Sequence, residues 1–262
     1  MSTRALKWHG EQSKAEILIT MRPRRIIVNA DDFGMSPENN RAIVEAFDKG
    51  VISSTTLMAN MPGFEEACKL ANCHQLSGKI GVHLNLTEGK PLSTPIKGSP
   101  LFCDEFGLFR PRQTLFHLEP EEKHAVEAEF ATQIQACLDR GIHPTHLDSH
   151  QHIHTEWPIG EITIRVARQY GIGAIRLTRN CGTGIGLGHK LYKAAYNARL
   201  RTYGLAKTRY FGSAKDVATV LATTQDDVEI MVHVTVAETD KLLDRGEAIR
   251  SWSPNGQLTS YA

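Results

Sequence analysis

The chain has 262 residues, 41% hydrophobic and 23% charged, proportions of a folded domain that exclude a disordered or fibrous polymer. Its 30 Lys+Arg stand against 29 Asp+Glu, a formal charge of +1, which argues against nucleic acid or an anionic membrane as partner and for a polar, uncharged ligand. Five scattered cysteines with no Cys-x-x-Cys pair point to neither a disulfide framework nor a thiolate zinc site.

Residues 1–24 read as a flexible leader. Their only apolar run, Ile17–Ile19, is far too short for a signal-peptide core or a membrane span, so a cytoplasmic setting is expected, and Met21 offers a second start. Residues 25–262 read as one domain. Arg25–Ala30 is the first strand and runs into Asp31, Asp32 and the turn former Gly34. Ser36 then caps a helix with Pro37 at its first position, and Gly50 follows its end. Strand Val51–Ala59, helix Phe64–Cys73 and strand Lys79–Thr87 come next. After a Pro/Gly-rich loop, Glu121–Arg140 forms a long helix with Val126, Phe130, Ile134 and Leu138 on one face.

The next strand carries Thr145-His-Leu-Asp-Ser-His-Gln-His-Ile-His-Thr155, four histidines and an aspartate in eleven residues. Helix Pro158–Tyr170, strand Ala174–Thr178, helix Leu191–Arg201, strand Arg209–Phe211, helix Ala214–Thr223 and strand Val228–His233 continue the alternation. About seven β/α units in roughly 250 residues predict a single-domain α/β fold, a TIM-like (β/α) barrel with about seven strands, over an open doubly wound sheet. Between Cys181 and Gly188, Gly182, Gly184, Gly186 and Gly188 do not match a dinucleotide fingerprint and read as a mobile loop at the rim. The basic, tyrosine-rich stretch 190–209 reads as the solvated face of a helix.

In such a fold the functional face lies at the carboxyl ends of the strands. Asp31 and Asp32, His83, Asp148 and His150, and His233 all fall there, delivered by four separate strands. Imidazoles and carboxylates from different strands suit one divalent cation with positions left for water and substrate, and hence metal-assisted hydrolysis. Adjacent aspartates can divide ligation and proton transfer, because consecutive strand residues point to opposite sides. Within the histidine-rich strand His146, Asp148 and His150 share one face; only His150 is near enough the carboxyl end to reach the rim, leaving Asp148 to orient an imidazole.

Three segments, Asn29-Ala-Asp-Asp-Phe-Gly34, Gly81-Val-His-Leu-Asn-Leu-Thr-Glu-Gly89 and Thr145-His-Leu-Asp-Ser-His-Gln-His-Ile-His154, resemble in kind and order the signature motifs of the YdjC-like carbohydrate deacetylases. The resemblance spans about residues 25–179. It implies a TIM-like barrel that removes N-acetyl groups from amino sugars or oligosaccharides and releases acetate, using one divalent metal, magnesium or zinc. By the match of motifs Asp32, His83 and His150 are the expected metal ligands, Asp31 the general base and His233 the acid for the leaving amine. The family usually reads Cys-His-Pro at the last position, where this chain has Val232-His-Val234. Two alternatives are an esterase or deacylase acting on a lipid- or nucleotide-linked sugar and a sugar-binding protein with weak catalysis. The expected partner is a small-molecule or oligosaccharide substrate; the oligomeric state is left open, a homo-oligomer being common among cytoplasmic enzymes.

Overall fold

The computed structural model describes residues 23–182, 184–237, 241–249, 251–252 and 256–262. The leader read over 1–24 lies outside the described residues except for Pro23 and Arg24. Arg24 is buried, and its guanidinium donates to the carbonyls of Leu221 (3.0 Å) and Thr224, so the folded unit begins before Arg25.

Six parallel strands form a curled sheet in the order β4-β3-β2-β1-β6-β5: β1 (Arg25–Phe33), β2 (Ser54–Leu57), β3 (Ile80–Leu84), β4 (Leu147–Ser149), β5 (Tyr210–Ser213) and β6 (Val228–Val232). A two-residue strand, β10 (Gln257–Leu258), pairs in parallel with the start of β1. Parallel strands need crossover connections, and helices α1 (Pro37–Asp48), α2 (Phe64–Cys73), α4 (Pro120–Leu138), α5 (Trp157–Gln169), α6 (Leu187–Thr202) and α7 (Ala214–Thr223) lie in those connections, with a single-turn α3 (Thr94–Lys97) in the Pro/Gly-rich loop. After β6 come short antiparallel strands β7 (Val234–Val236), β8 (Leu242–Asp244) and β9 (Glu247–Ala248).

The expected strand Ala174–Thr178 forms no ladder. A single bridge joins Leu147 to Ile175, and Asn180 N donates to Phe211 O at 3.1 Å, so the segment fills the gap between β4 and β5 without closing the sheet by continuous pairing. The cause lies in its neighbour. Gln151 and His152 adopt left-handed backbone (φ 50° and 57°), which stops β4 after three residues and turns the chain into a 3-10 segment, His150–Thr155, leaving little strand to pair with. The long strand expected across the histidine-rich stretch is thereby mostly helical turn.

Other differences are at element ends. β1 extends through the aspartates to Phe33, and β2 is confined to Ser54–Leu57. Helix α6 starts at Leu187, with Gly186 at its N-cap, so the second half of the glycine run is helix start and not rim loop. Helix α1 begins as its punctuation predicts: Ser36 Oγ accepts from Asn39 N at 3.3 Å and Pro37 holds the first position. Val126, Phe130 and Ile134 of α4 are fully buried, and on the same helix buried Gln133 bonds both N and O of Asn85 (2.9 and 2.7 Å) while Glu129 accepts from Leu92 N and Ser93 N. These bonds fix the loop that leaves β3. No helix among the described residues is long and apolar enough to cross a membrane.

Candidate metal and catalytic centre

The carboxyl ends of β1, β3 and β4 meet at Asp32, His83 and His150, whose ligand-type atoms all lie within 4.8 Å of one another. His83 Nε2 is 3.2 Å and His150 Nδ1 3.0 Å from Asp32 Oδ1. Asp32 itself has φ 70°, a left-handed conformation that a non-glycine residue holds only when its surroundings impose it. The turn behind it supplies them: Met35 N bonds Asp32 O (3.1 Å), and buried Asn40 of α1 accepts from Gly34 N (2.8 Å) while donating to Gly63 O (2.9 Å) and to Glu66 (2.8 Å).

His83 is buried and its Nδ1 lies 2.7 Å from Asp148 Oδ1, the register partner on β4, with Thr56 Oγ1 at 3.1 Å. This fixes the ring so that Nε2 faces Asp32, the arrangement by which an outer carboxylate orients a ligating imidazole. Burial opposes a proton on His83, but Asp148, with Asp32 and Asp31, outweighs it and pushes the pKa up to about 10. Burial also opposes charge on Asp32, yet His150 and His83 hold it well below the usual carboxylate range. A cation seated among these groups therefore competes with the proton favoured on His83, and one carboxylate with two imidazoles is a donor set suited to a divalent ion. His150 Nε2 also meets Glu88 Oε2 at 2.9 Å, a carboxylate that the sequence reading passed over although it closes the Gly81–Gly89 motif.

Asp31, beside Asp32 on β1, points the other way and is 2% exposed. Arg176 donates Nη1 to its Oδ2 (2.8 Å) and Nη2 to its Oδ1 (2.7 Å), and Asn29 Nδ2 adds a bond to Oδ1 (3.0 Å). A carboxylate has about four acceptor sites, so three bonds leave one open. Burial works against the charge on Asp31, but Arg176 keeps it well below the usual range, and it is ionised at neutral pH. Arg176 also contacts Asp148 Oδ2 at 2.6 Å and Glu229 Oε1 at 2.6 Å, so three carboxylates converge on one fully buried guanidinium that lies over the Phe211 ring at 4.9 Å. A second ligand-type group, Asp31, His83 and Asp148, is buried, and the guanidinium of Arg176 pairs with both of its carboxylates.

Arg176 is the principal residue the sequence reading missed. Its signal was present: an arginine inside the apolar run Ala174-Ile-Arg-Leu177 needs buried anions to neutralise it. His233 follows β6 directly; its Nε2 lies 3.9 Å from Asp32 Oδ2 and its side chain is 30% exposed, on the solvent side of the cluster. Its backbone N–H bonds Asp244 of β8 (2.9 Å). Among the other histidines, His146 is buried below the site, and His154 is buried against Ser149 Oγ (2.6 Å) and the Arg176 carbonyl (3.2 Å). His152 lines a cavity of about 610 Å³ together with Phe211, Trp157, Tyr192, Arg179 and Lys193. Burial and the charge of Arg176 push its pKa down to about 3, so it meets the cavity as a neutral imidazole. Phe211, on the wall of this cavity, packs its ring against both His152 and the Arg176 guanidinium.

Comparison with known proteins places these features in context. The family model described as YdjC-like protein matches residues 25–256. The carbohydrate deacetylase of Halalkalibacterium halodurans is 37% identical over 174 residues, 66% of this chain and 72% of that protein. The carbohydrate deacetylases of Brevibacillus brevis and Geobacillus stearothermophilus are 42% and 40% identical over 56% of this chain, which spans only 57% and 58% of their lengths. A solved structure of a proposed cellobiose-phosphate cleavage protein from Enterococcus faecalis V583 superposes with a TM-score of 0.63 at 27% identity, covering 82% of this chain and 83% of that one.

Proposed function

This chain belongs to the YdjC-like protein family, and from that premise we propose that it is a carbohydrate deacetylase: a metal-dependent hydrolase on an incomplete TIM-like barrel that removes an N-acetyl group from an amino sugar or oligosaccharide, releasing acetate and a free amine. The observation that carries this reading is the meeting of Asp32, His83 and His150 within 4.8 Å, with Asp31 held beside them. The relatives named carbohydrate deacetylase support the reaction class.

Asp32, His83 and His150 would hold the divalent ion, which when bound acts as a Lewis acid on the acyl carbonyl and lowers the pKa of coordinated water. Asp31 uses its remaining acceptor position to take the proton of the attacking water. Arg176 restrains that carboxylate, at the cost of a lowered basicity. As the carbon–nitrogen bond breaks, the amine needs a proton, and His233, on the open side of Asp32, supplies it. His152 and the aromatic residues of the adjoining cavity receive the sugar; about 610 Å³ lies within the range of small-ligand pockets, roughly 300–1,000 Å³.

The reading is tested by stripping the purified protein of metal, restoring magnesium, zinc, cobalt or nickel in turn, and assaying acetate release from panels of N-acetyl and O-acetyl saccharides. The expected outcome is release from an N-acetylated sugar that disappears on chelation and returns with a metal. Release confined to O-acetyl sugars would establish an esterase, and no release with any metal would reject the hydrolase reading.

A further inference from the structure

Residues 256–262 bring a ring to the amino ends of the strands, on the far side of Arg176 from the rim. Gln257 N bonds Arg24 O (2.9 Å) and Thr259 N bonds Ile26 O (3.0 Å), which lays β10 along β1 and directs Tyr261 inward. Its ring stacks on His146, centroids 3.8 Å apart and 16° between planes, and packs with Ile27 and Ala174. Its hydroxyl donates to Glu229 Oε2. Glu229 Oε1 in turn accepts from Arg176 Nε at 2.6 Å, and the two terminal nitrogens of Arg176 hold Asp31 at 2.7 and 2.8 Å.

Glu229 is fully buried, and a buried carboxylate oxygen without a donor is costly enough to reorganise its neighbours. The donor already bonded to its other oxygen is the Arg176 guanidinium, which carries five N–H groups. With Oε2 free, Glu229 gains by taking Nε and a terminal nitrogen together in the side-on fork that arginine favours. That rotation draws a terminal nitrogen away from Asp31. With Oε2 held by the tyrosine, Glu229 takes Nε alone and the terminal nitrogens stay on Asp31 and Asp148.

We propose that Tyr261 is a positioning residue: by holding Glu229 it fixes the rotation of the Arg176 guanidinium and, through it, the orientation of Asp31. The inference rests on the deacetylase reading for its consequence in catalysis, and it concerns a residue beyond the 25–256 span that the family model matches.

Tyr261→Phe keeps the ring on His146 and removes only the hydroxyl. The expected result is a fall in kcat of roughly 10-fold, the size usual for loss of a supporting hydrogen bond to a site group, with KM and metal affinity unchanged. Combining it with Glu229→Gln should bring little further loss than Glu229→Gln alone, because both act through the same guanidinium. Unchanged kcat, a loss matched by raised KM or lost metal, or losses that multiply would each overturn the proposal. A crystal structure of Tyr261→Phe decides the matter apart from turnover: Arg176 withdrawn from Asp31 supports it, and both Asp31 contacts retained overturn it. Acetate release absent from the unaltered protein would instead reject the deacetylase reading and leave that structural result in force.

Discussion

At the scale of residues the centre is governed by which carboxylate meets which cation. Asp148 is the clearest case, since it lies 2.7 Å from His83 and 2.6 Å from Arg176 and is fully buried. It orients the imidazole expected to ligate metal and helps hold the guanidinium that restrains Asp31. Asp148→Asn keeps the volume but removes the charge, and should lower divalent-metal affinity roughly 10- to 100-fold. Titration calorimetry of the metal-free protein measures this, and an unchanged affinity would show that His83 needs no such partner. The ligand candidates were legible in the sequence because Asp32, His83 and His150 each fall at or just beside the carboxyl end of a strand, where local patterning places a functional rim. Arg176 was legible only as a buried cation in need of anions, and Glu229 and Tyr261 were not legible at all, because they join it from positions 53 and 85 residues away, well beyond periodicity.

At the scale of elements, the turn from β1 into α1 carries Asp32 in its left-handed conformation, and two side chains of α1 hold that turn in different ways. Ser36 caps the helix at a partly exposed position, and Ser36→Ala should cost about 1 kcal/mol. Asn40 is buried and satisfies Gly34 N–H, Gly63 C=O and Glu66, so Asn40→Ala leaves buried backbone groups unpaired and should cost about 3 kcal/mol. Chemical denaturation of both variants checks the order; equal losses would mean that the turn does not depend on Asn40. Sequence punctuation found α1, α2 and α7 closely because caps and stops are local. It misjudged 145–155 and 174–178, where residues suited to a strand are overruled by the left-handed pair Gln151–His152 and by the loss of a pairing partner.

At the scale of the whole molecule, the buried cluster links global stability to pH. Burial pushes the Glu229 pKa up to about 7, against the pull of Arg176 and Tyr261, from an ordinary 4.5. A raised folded-state pKa means that the native state binds the proton more tightly than the unfolded chain does. The stability Glu229 contributes is therefore fully present below 4.5 and declines as pH rises through about 7. Glu229→Gln carries no titrating group, and should flatten the dependence of unfolding free energy on pH across that interval. Denaturant unfolding at several pH values measures the slope, and an identical slope in both proteins would place the titration elsewhere.

By itself the sequence determined the alternation of strands and helices, the family, and a rim supplied with aspartates and histidines from separate strands. Those features follow from local composition and spacing, which a chain carries wherever it folds. Only the tertiary structure decided that the parallel sheet curls without continuous pairing between β4 and β5, that Asp31 and Asp32 face opposite partners, and that Arg176 rests on three carboxylates. The physical reason is burial: charges removed from water must find partners across the sheet, and only the folded arrangement determines which ones they meet.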